Sequence, residues 1–138
     1  MATGFDATAG ALVIAAMHGG TAVTFTTPIK LLFNTTQRTA DNGADTEFAT
    51  SGGYTQLTGF SGVTYNAATT GATGATQTNS IAATIANMPA GTWQGCTERE
   101  TSGTPKYLFW GTLGSSKTVN AGDTVTVPVT TGLSDLLG

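Results

Sequence analysis

The sequence predicts a mainly β protein: a single β-sandwich or jelly-roll-like domain with one short N-terminal helix. Three observations carry that expectation. Short apolar runs recur with turn signals about every 8–12 residues, the spacing of sandwich and barrel strands. Thr supplies 30 of 138 residues; its branched Cβ favours the pleated backbone while its hydroxyl keeps an outer face wet. Residues 7–17 alone break the β pattern, with Ala, Leu, Ile and Met following Asp6 and preceding Gly19-Gly20. The length is that of one domain, read as an N-terminal arm and short helix over 1–20 and the β-sandwich over 21–138.

The helix is read over residues 6–18. Asp6 is placed to cap it by accepting from the backbone N–H of residue 8 or 9, and Gly19-Gly20 supplies the stop. There is no polar face between Ala9 and Met17. A helix apolar all round is expected to be buried, in its own domain or against a neighbouring subunit. Leu12-Val13-Ile14 taken alone also suits a short strand.

Strands follow over 21–27 and 29–34, with Pro28 between them marking an edge or a break because it lacks the N–H of a central ladder. Ile29, Leu31 and Phe33 then share one face. Residues 35–53 read as loop, 54–58 and 61–66 as short strands, and 67–77 as a low-complexity surface loop. In the second half, 80–86 places Ile81, Ala83 and Ile85 on one face. Residues 88–91 make a turn in which Pro89 presets φ and Gly91 supplies a positive φ. Trp93 enters a strand over 92–98, and a charged turn spans 98–104. Over 106–113, Tyr107, Leu108, Phe109 and Trp110 are apolar on both faces, which suits a central strand or one covered by a partner. Residues 117–119, a turn at 120–123 and a strand over 124–130 close the pattern; Val125, Val127 and Val129 alternate there with period two.

Composition excludes several function classes. Five cations and eight anions give a net charge of −3, and five scattered cations build no basic patch for nucleic acid. No apolar run approaches the length of a membrane span, and aromatic and aliphatic residues recur too often for a disordered tail. The start has neither the basic nor the apolar region of a secretory leader, so a cytoplasmic origin is expected.

The chain offers little catalytic machinery. Cys96 and His18 are the single Cys and single His; together they are a weak signal for a thiol nucleophile, and one Cys builds neither a disulfide nor a thiolate metal cage. The segment Asp41-Asn42-Gly43-Ala44-Asp45-Thr46-Glu47 resembles a calcium loop only loosely, its Gly being third rather than sixth, and reads as an Asx-turn loop with a hard-cation site as the alternative. Glu98 and Glu100 sit beside a Ser-Gly turn and read as a solvated loop rather than paired carboxylates. Gly71 and Gly74 lack the following helix and Lys of a phosphate cradle. Asn34-Thr35-Thr36 is a formal glycosylation sequon. No catalytic, cofactor-binding or metal-binding residue is assigned, no cofactor is expected, and an enzyme is not expected.

A resemblance supplies a functional context. Leu32-Phe33, Asp41-Asn42-Gly43, Thr46-Glu47, Ser51-Gly52-Gly53-Tyr54 and Thr78-Asn79-Ser80-Ile81 occur in order. Pro89-Ala90-Gly91-Thr92-Trp93, Tyr107-Leu108-Phe109-Trp110-Gly111 and Lys117-Thr118-Val119-Asn120-Ala121-Gly122-Asp123 continue the series. The series resembles a family of small Gly/Thr-rich virion proteins of tailed bacteriophages and prophages, labelled capsid-decorating or tail-fibre-like. The chain departs from that family at Cys96-Thr97-Glu98-Arg99-Glu100 and in its tail from Leu133 to Leu137. The resemblance implies a β-rich, non-enzymatic structural virion protein on the outer surface of a phage head, with a tail or tail-fibre protein as the alternative. The partners it implies are the major capsid protein and further copies of the chain as a homotrimer, with no nucleic acid and no membrane. Tyr107–Trp110 and the 11–17 segment are expected near subunit contacts. Met1 to Asp6 is expected to extend along a neighbour by edge-strand addition. A third reading, from the residues alone, is a carbohydrate-binding module whose groove is lined by Trp93, Trp110 and Tyr107.

Overall fold

A computed structural model describes residues 3–22, 24, 29–40, 43–50, 54–55, 57–58, 69–71, 74–80, 82–101, 106–128 and 134–137. The described elements are one helix and eleven strands in the order Thr3–Phe5 (β1), Ala7–Met17 (α1), Lys30–Thr36 (β2), Thr46–Glu47 (β3), Leu57–Thr58 (β4) and Thr69–Gly71 (β5). Gly74–Thr78 (β6), Ala83–Ile85 (β7), Gly91–Arg99 (β8), Tyr107–Val119 (β9), Val125–Val127 (β10) and Ser134–Leu137 (β11) follow. The protein is therefore mainly β, with one short N-terminal helix among the described residues, as its composition and turn spacing predict.

The helix forms where local chemistry asks for it. Asp6 has extended backbone and its Oδ1 accepts from the Thr8 N–H at 2.9 Å, satisfying one of the four N–H groups that the first turn leaves open. At the other end Gly19 takes a φ of 84°, and the Gly19 and Gly20 N–H groups return to the carbonyls of Ala16 and Ala15. A left-handed residue at this place closes a helix, and Gly adopts it without a Cβ penalty. Of the two kinds of burial expected of this helix, burial within its own chain is not observed: Ala9 is its one buried residue. Thr21, Ala22 and Thr24 form no strand, and the rest of the 21–27 strand expected from the sequence lies outside the described residues.

A six-stranded sheet runs β1-β9-β8-β2-β3, with β4 beside β2, and every pairing is antiparallel. β7 and β10 form a two-stranded ribbon, while β5, β6 and β11 form a three-stranded sheet. The core gathers Leu31 and Phe33 of β2, Trp93 and Cys96 of β8, and Val119 of β9 with Ala83, Ile85, Val125 and Val127 of the ribbon. Alternation on β2 sends Leu32 and Asn34 to the opposite face, and both are buried there. The large sheet is thus covered on both sides where β2, β8 and β9 meet, which is why β9 can be apolar on both faces as a central strand. Asn79 donates to the Pro128 carbonyl at 2.8 Å and ties the end of β6 to the end of the ribbon.

Four sequence expectations are corrected by the pairings. Residues 67–77 are no plain loop: β5 and β6 pair, with Gly71 opposite Gly74, and β11 adds to β6. Thr gives this low-complexity stretch enough β preference to pair once a partner strand is present. The segments 106–113 and 117–119 are one strand, β9, whose pairing with β8 shifts register between Trp93 and Gly95, so the period-two signal is interrupted without the strand ending. In the turn after β7 the left-handed residue is Asn87, at φ 55°, while Gly91 already belongs to β8. Finally, the end of the N-terminal arm is engaged within the chain: β1 pairs with β9 at Phe109 to Gly111, and the Asp6 N–H donates to the Leu108 carbonyl. The strand expected over 61–66 lies outside the described residues.

Candidate functional site

The densest chemistry lies on the sheet face opposite the apolar core. Asn34 at the end of β2 and Thr97 on β8 point into it, and the chain leaving β2 brings Gln37 and Arg38 alongside; all four are buried. Asn34 Nδ2 donates to Gln37 Oε1 and to Thr97 Oγ1, each at 2.7 Å. Thr97 Oγ1 in turn donates to Asp45 Oδ2 at 2.9 Å. Arg38 is held on three sides: Nη1 is 3.0 Å from Asp6 Oδ2, Nε and Nη2 both reach Asp45 Oδ2 at 2.8 Å, and the guanidinium lies 4.5 Å from the Tyr107 ring centre. The Arg38 backbone N–H donates to Asp45 Oδ1 as well. A planar guanidinium between two carboxylates donates to both at once, a role a Lys cannot fill with the same number of donors.

The neighbouring carboxylates are occupied in the same way. Glu47 Oε1 accepts from the Tyr54 hydroxyl at 2.8 Å, and that hydroxyl accepts from the Phe33 N–H at 3.0 Å. Burial, first of all, pushes the Tyr54 phenol well above its ordinary range, against the lowering effect of the Phe33 bond. Glu98 and Glu100, expected on a solvated loop, are both buried. The reason is that β8 continues through Arg99, so Glu98 pairs with Leu31 in the sheet, and Glu100 is met by Lys106 Nζ at 3.2 Å and by the Lys106 N–H.

The other sequence candidates are dispersed. Cys96 lies in the core, its thiol pushed far above the ordinary range by burial, whereas His18 caps the exposed end of α1 with Nδ1 3.0 Å from the Ile14 carbonyl. In the 41–47 segment Asp45 and Glu47 are committed to Arg38, Thr97 and Tyr54, while Asp41 and Asn42 lie outside the described residues. Among the described residues no group of three or more His, Cys, Asp or Glu side chains could hold a metal ion. The sequon residue Asn34 is fully buried with its amide nitrogen in use. Trp93 stacks on Phe33 at 5.0 Å between ring centres and donates to the Gly95 carbonyl, and Trp110 is buried, so neither indole is presented to solvent as a groove-lining ring, while Tyr107 is half-buried beneath Arg38.

Alongside exposed polar residues, one helix presents apolar side chains to solvent. Leu12, Ile14 and Met17 are 36 %, 58 % and 78 % exposed, and every exposed large hydrophobic residue among the described ones lies on α1. A shallow open groove runs beside them, lined by Val13, Ala16, Met17, Gly20 and Ala22. No helix among the described residues is long and apolar enough to cross a membrane. Comparison with protein-family models, with curated proteins and with solved structures finds no match. The sequence carries one signal of the polar cluster, Arg38 standing among uncharged residues in a chain of few charges. Among the described residues Arg38, Asp6, Asp45, Lys106 and Glu100 are engaged with one another inside the fold, and the exposed large hydrophobic residues gather on one helix.

Proposed function

We propose that this chain is a non-enzymatic structural virion protein that decorates the outer surface of a tailed-phage head, bound to the major capsid protein and associated with its own copies as a homotrimer. The observation that carries the reading is the apolar surface of α1, which a free-standing domain leaves wet at a free-energy cost and an assembled one covers. The burial of Arg38, Asp6, Asp45, Glu98 and Glu100 in internal contacts supports the non-catalytic part, since these groups serve cohesion rather than a substrate. The low charge of the chain fits a protein packed against others better than one alone in solution. The family resemblance of the ordered motifs supplies the virion context.

The test is the copy number in purified particles of the phage that encodes the chain, read on a gel against the major capsid protein. A ratio near one is expected. A handful of copies per particle would overturn decoration in favour of a tail protein, and absence from particles would overturn both.

A further inference from the structure

We propose that α1 is a self-association face, packing against α1 of a second copy of this chain. The inference deepens the reading above and rests on its self-association part. Ala7, Gly10, Ile14 and Met17 recur at 3-4-3 spacing along the helix, the period that lets one helix keep a seam toward another. Ile14 and Met17 are the two most exposed large hydrophobic side chains described, so the seam carries its bulk on the outside. The body of the protein does little to hold this surface: Ala9 is the one buried residue of the helix, and Asp6 anchors its start to Arg38. An 11-residue helix is too short to persist in water on its own propensity.

Charge selects the occupant. No charged side chain lies between Ala7 and Met17, and the carboxylate that opens the helix is already paired. A charged partner finds nothing to pair with. A lipid surface favours helices with a cationic polar face beside the apolar one, and α1 has neither cation nor polar face. A second copy offers an uncharged apolar surface of the same length, and helices of this kind meeting about a three-fold axis close the homotrimer proposed above. Size sets the strength. A helix of 11 residues, about 16 Å long, supplies fewer contacts than the roughly 20–30 residues a side of a stable complex. The contact is therefore weak in solution and gains from a lattice that holds copies close.

Light scattering on the full chain, from about 10 μM to about 1 mM, tests this over the matching range of affinity. The mass is expected to rise with concentration. In the double variant Ile14→Lys, Met17→Lys the apparent dissociation constant is expected to weaken at least tenfold with an unchanged circular dichroism spectrum. A wild type that stays monomeric throughout overturns the proposal, as does a folded double variant that associates equally well. Independently, Ile14→Cys is expected to form disulfide-linked dimers under mild oxidation much faster than Ser116→Cys, an exposed control on β9; equal rates overturn the proposal. Wild-type binding to phosphatidylcholine vesicles without self-association overturns it in favour of a membrane face. Self-association through α1 in a protein absent from particles leaves this inference standing and removes the virion reading, so the two failures are distinguishable.

Discussion

Arg38 lies between Asp6 at 3.0 Å and Asp45 at 2.8 Å, with a side chain only 4 % exposed. Removing one member of a buried ionic group leaves the others uncompensated, which costs about 3–5 kcal/mol. Arg38→Met is therefore expected to lower the unfolding free energy by about that amount in urea titration; a loss below about 1 kcal/mol would show the cluster to be solvated. Cys96 and Tyr54 give a second prediction, from their raised folded-state ionisation. In the unfolded chain the thiol ionises near 9.0 and the phenol near 10.0. Above those values the unfolded state sheds protons that the native state keeps, so stability falls as pH rises, by about 1.4 kcal/mol per pH unit per group. Below that window these two groups contribute no pH dependence. Thermal melts between about pH 8 and about pH 11 are expected to show a falling Tm, and a flat profile would contradict the burial of both groups. The Cys96 thiol is also expected to stay unreactive toward a thiol reagent until the protein is unfolded.

At the scale of elements, the register shift of β8 against β9 depends on Gly95. A Cβ there would strike the Gly111 carbonyl and the Gln37 side chain. Gly95→Ala is expected to lose about 1–3 kcal/mol of stability by forced displacement of the neighbouring strand, and calorimetry checks it; no change would mean that the sheet yields freely at this place. The elements legible in the sequence are those written by local chemistry. The Asp6 cap and the glycines at 19–20 bound α1, the Asn120–Asp123 turn closes through Asn120 N–H to Asp123 Oδ2 at 2.7 Å, and Val125 and Val127 alternate inward on β10. What stayed hidden depends on distant partners. Arg38 meets Asp6 across 32 positions and Thr97 meets Asn34 across 63, so no window of sequence reveals that these polar groups are buried. The exposure of α1 was hidden for the converse reason: its composition asks for cover, and the described body supplies it at Ala9 alone.

For the whole molecule, the candidate site was less legible than the fold. Strand content follows from turn spacing and Thr preference, but which charges stay outside is decided by the order β1-β9-β8-β2-β3, which sequence periodicity does not contain. In this arrangement Arg38 supplies positive charge to Asp6 and Asp45, the place a bound cation takes in a calcium loop. Chelation with EDTA is accordingly expected to leave the melting temperature unchanged. A drop of several degrees would reveal a cation at the 41–47 segment.

The strand order also sets a timetable. β2 ends at Thr36, yet its neighbour β8 is complete only at Arg99, and β1 must wait for Phe109 to Gly111. At synthesis rates of about 5–20 residues per second, Leu31 and Phe33 remain without their β8 partner for roughly 3–13 s on the ribosome. Loop closure over such separations places spontaneous refolding in the millisecond-to-second regime of non-local β proteins. The nascent chain, with its sheet still open, is thus the form most exposed to aggregation, and crowded expression endangers it while β2 has only the short strands β3 and β4 beside it and before β8 and β9 can join the large sheet.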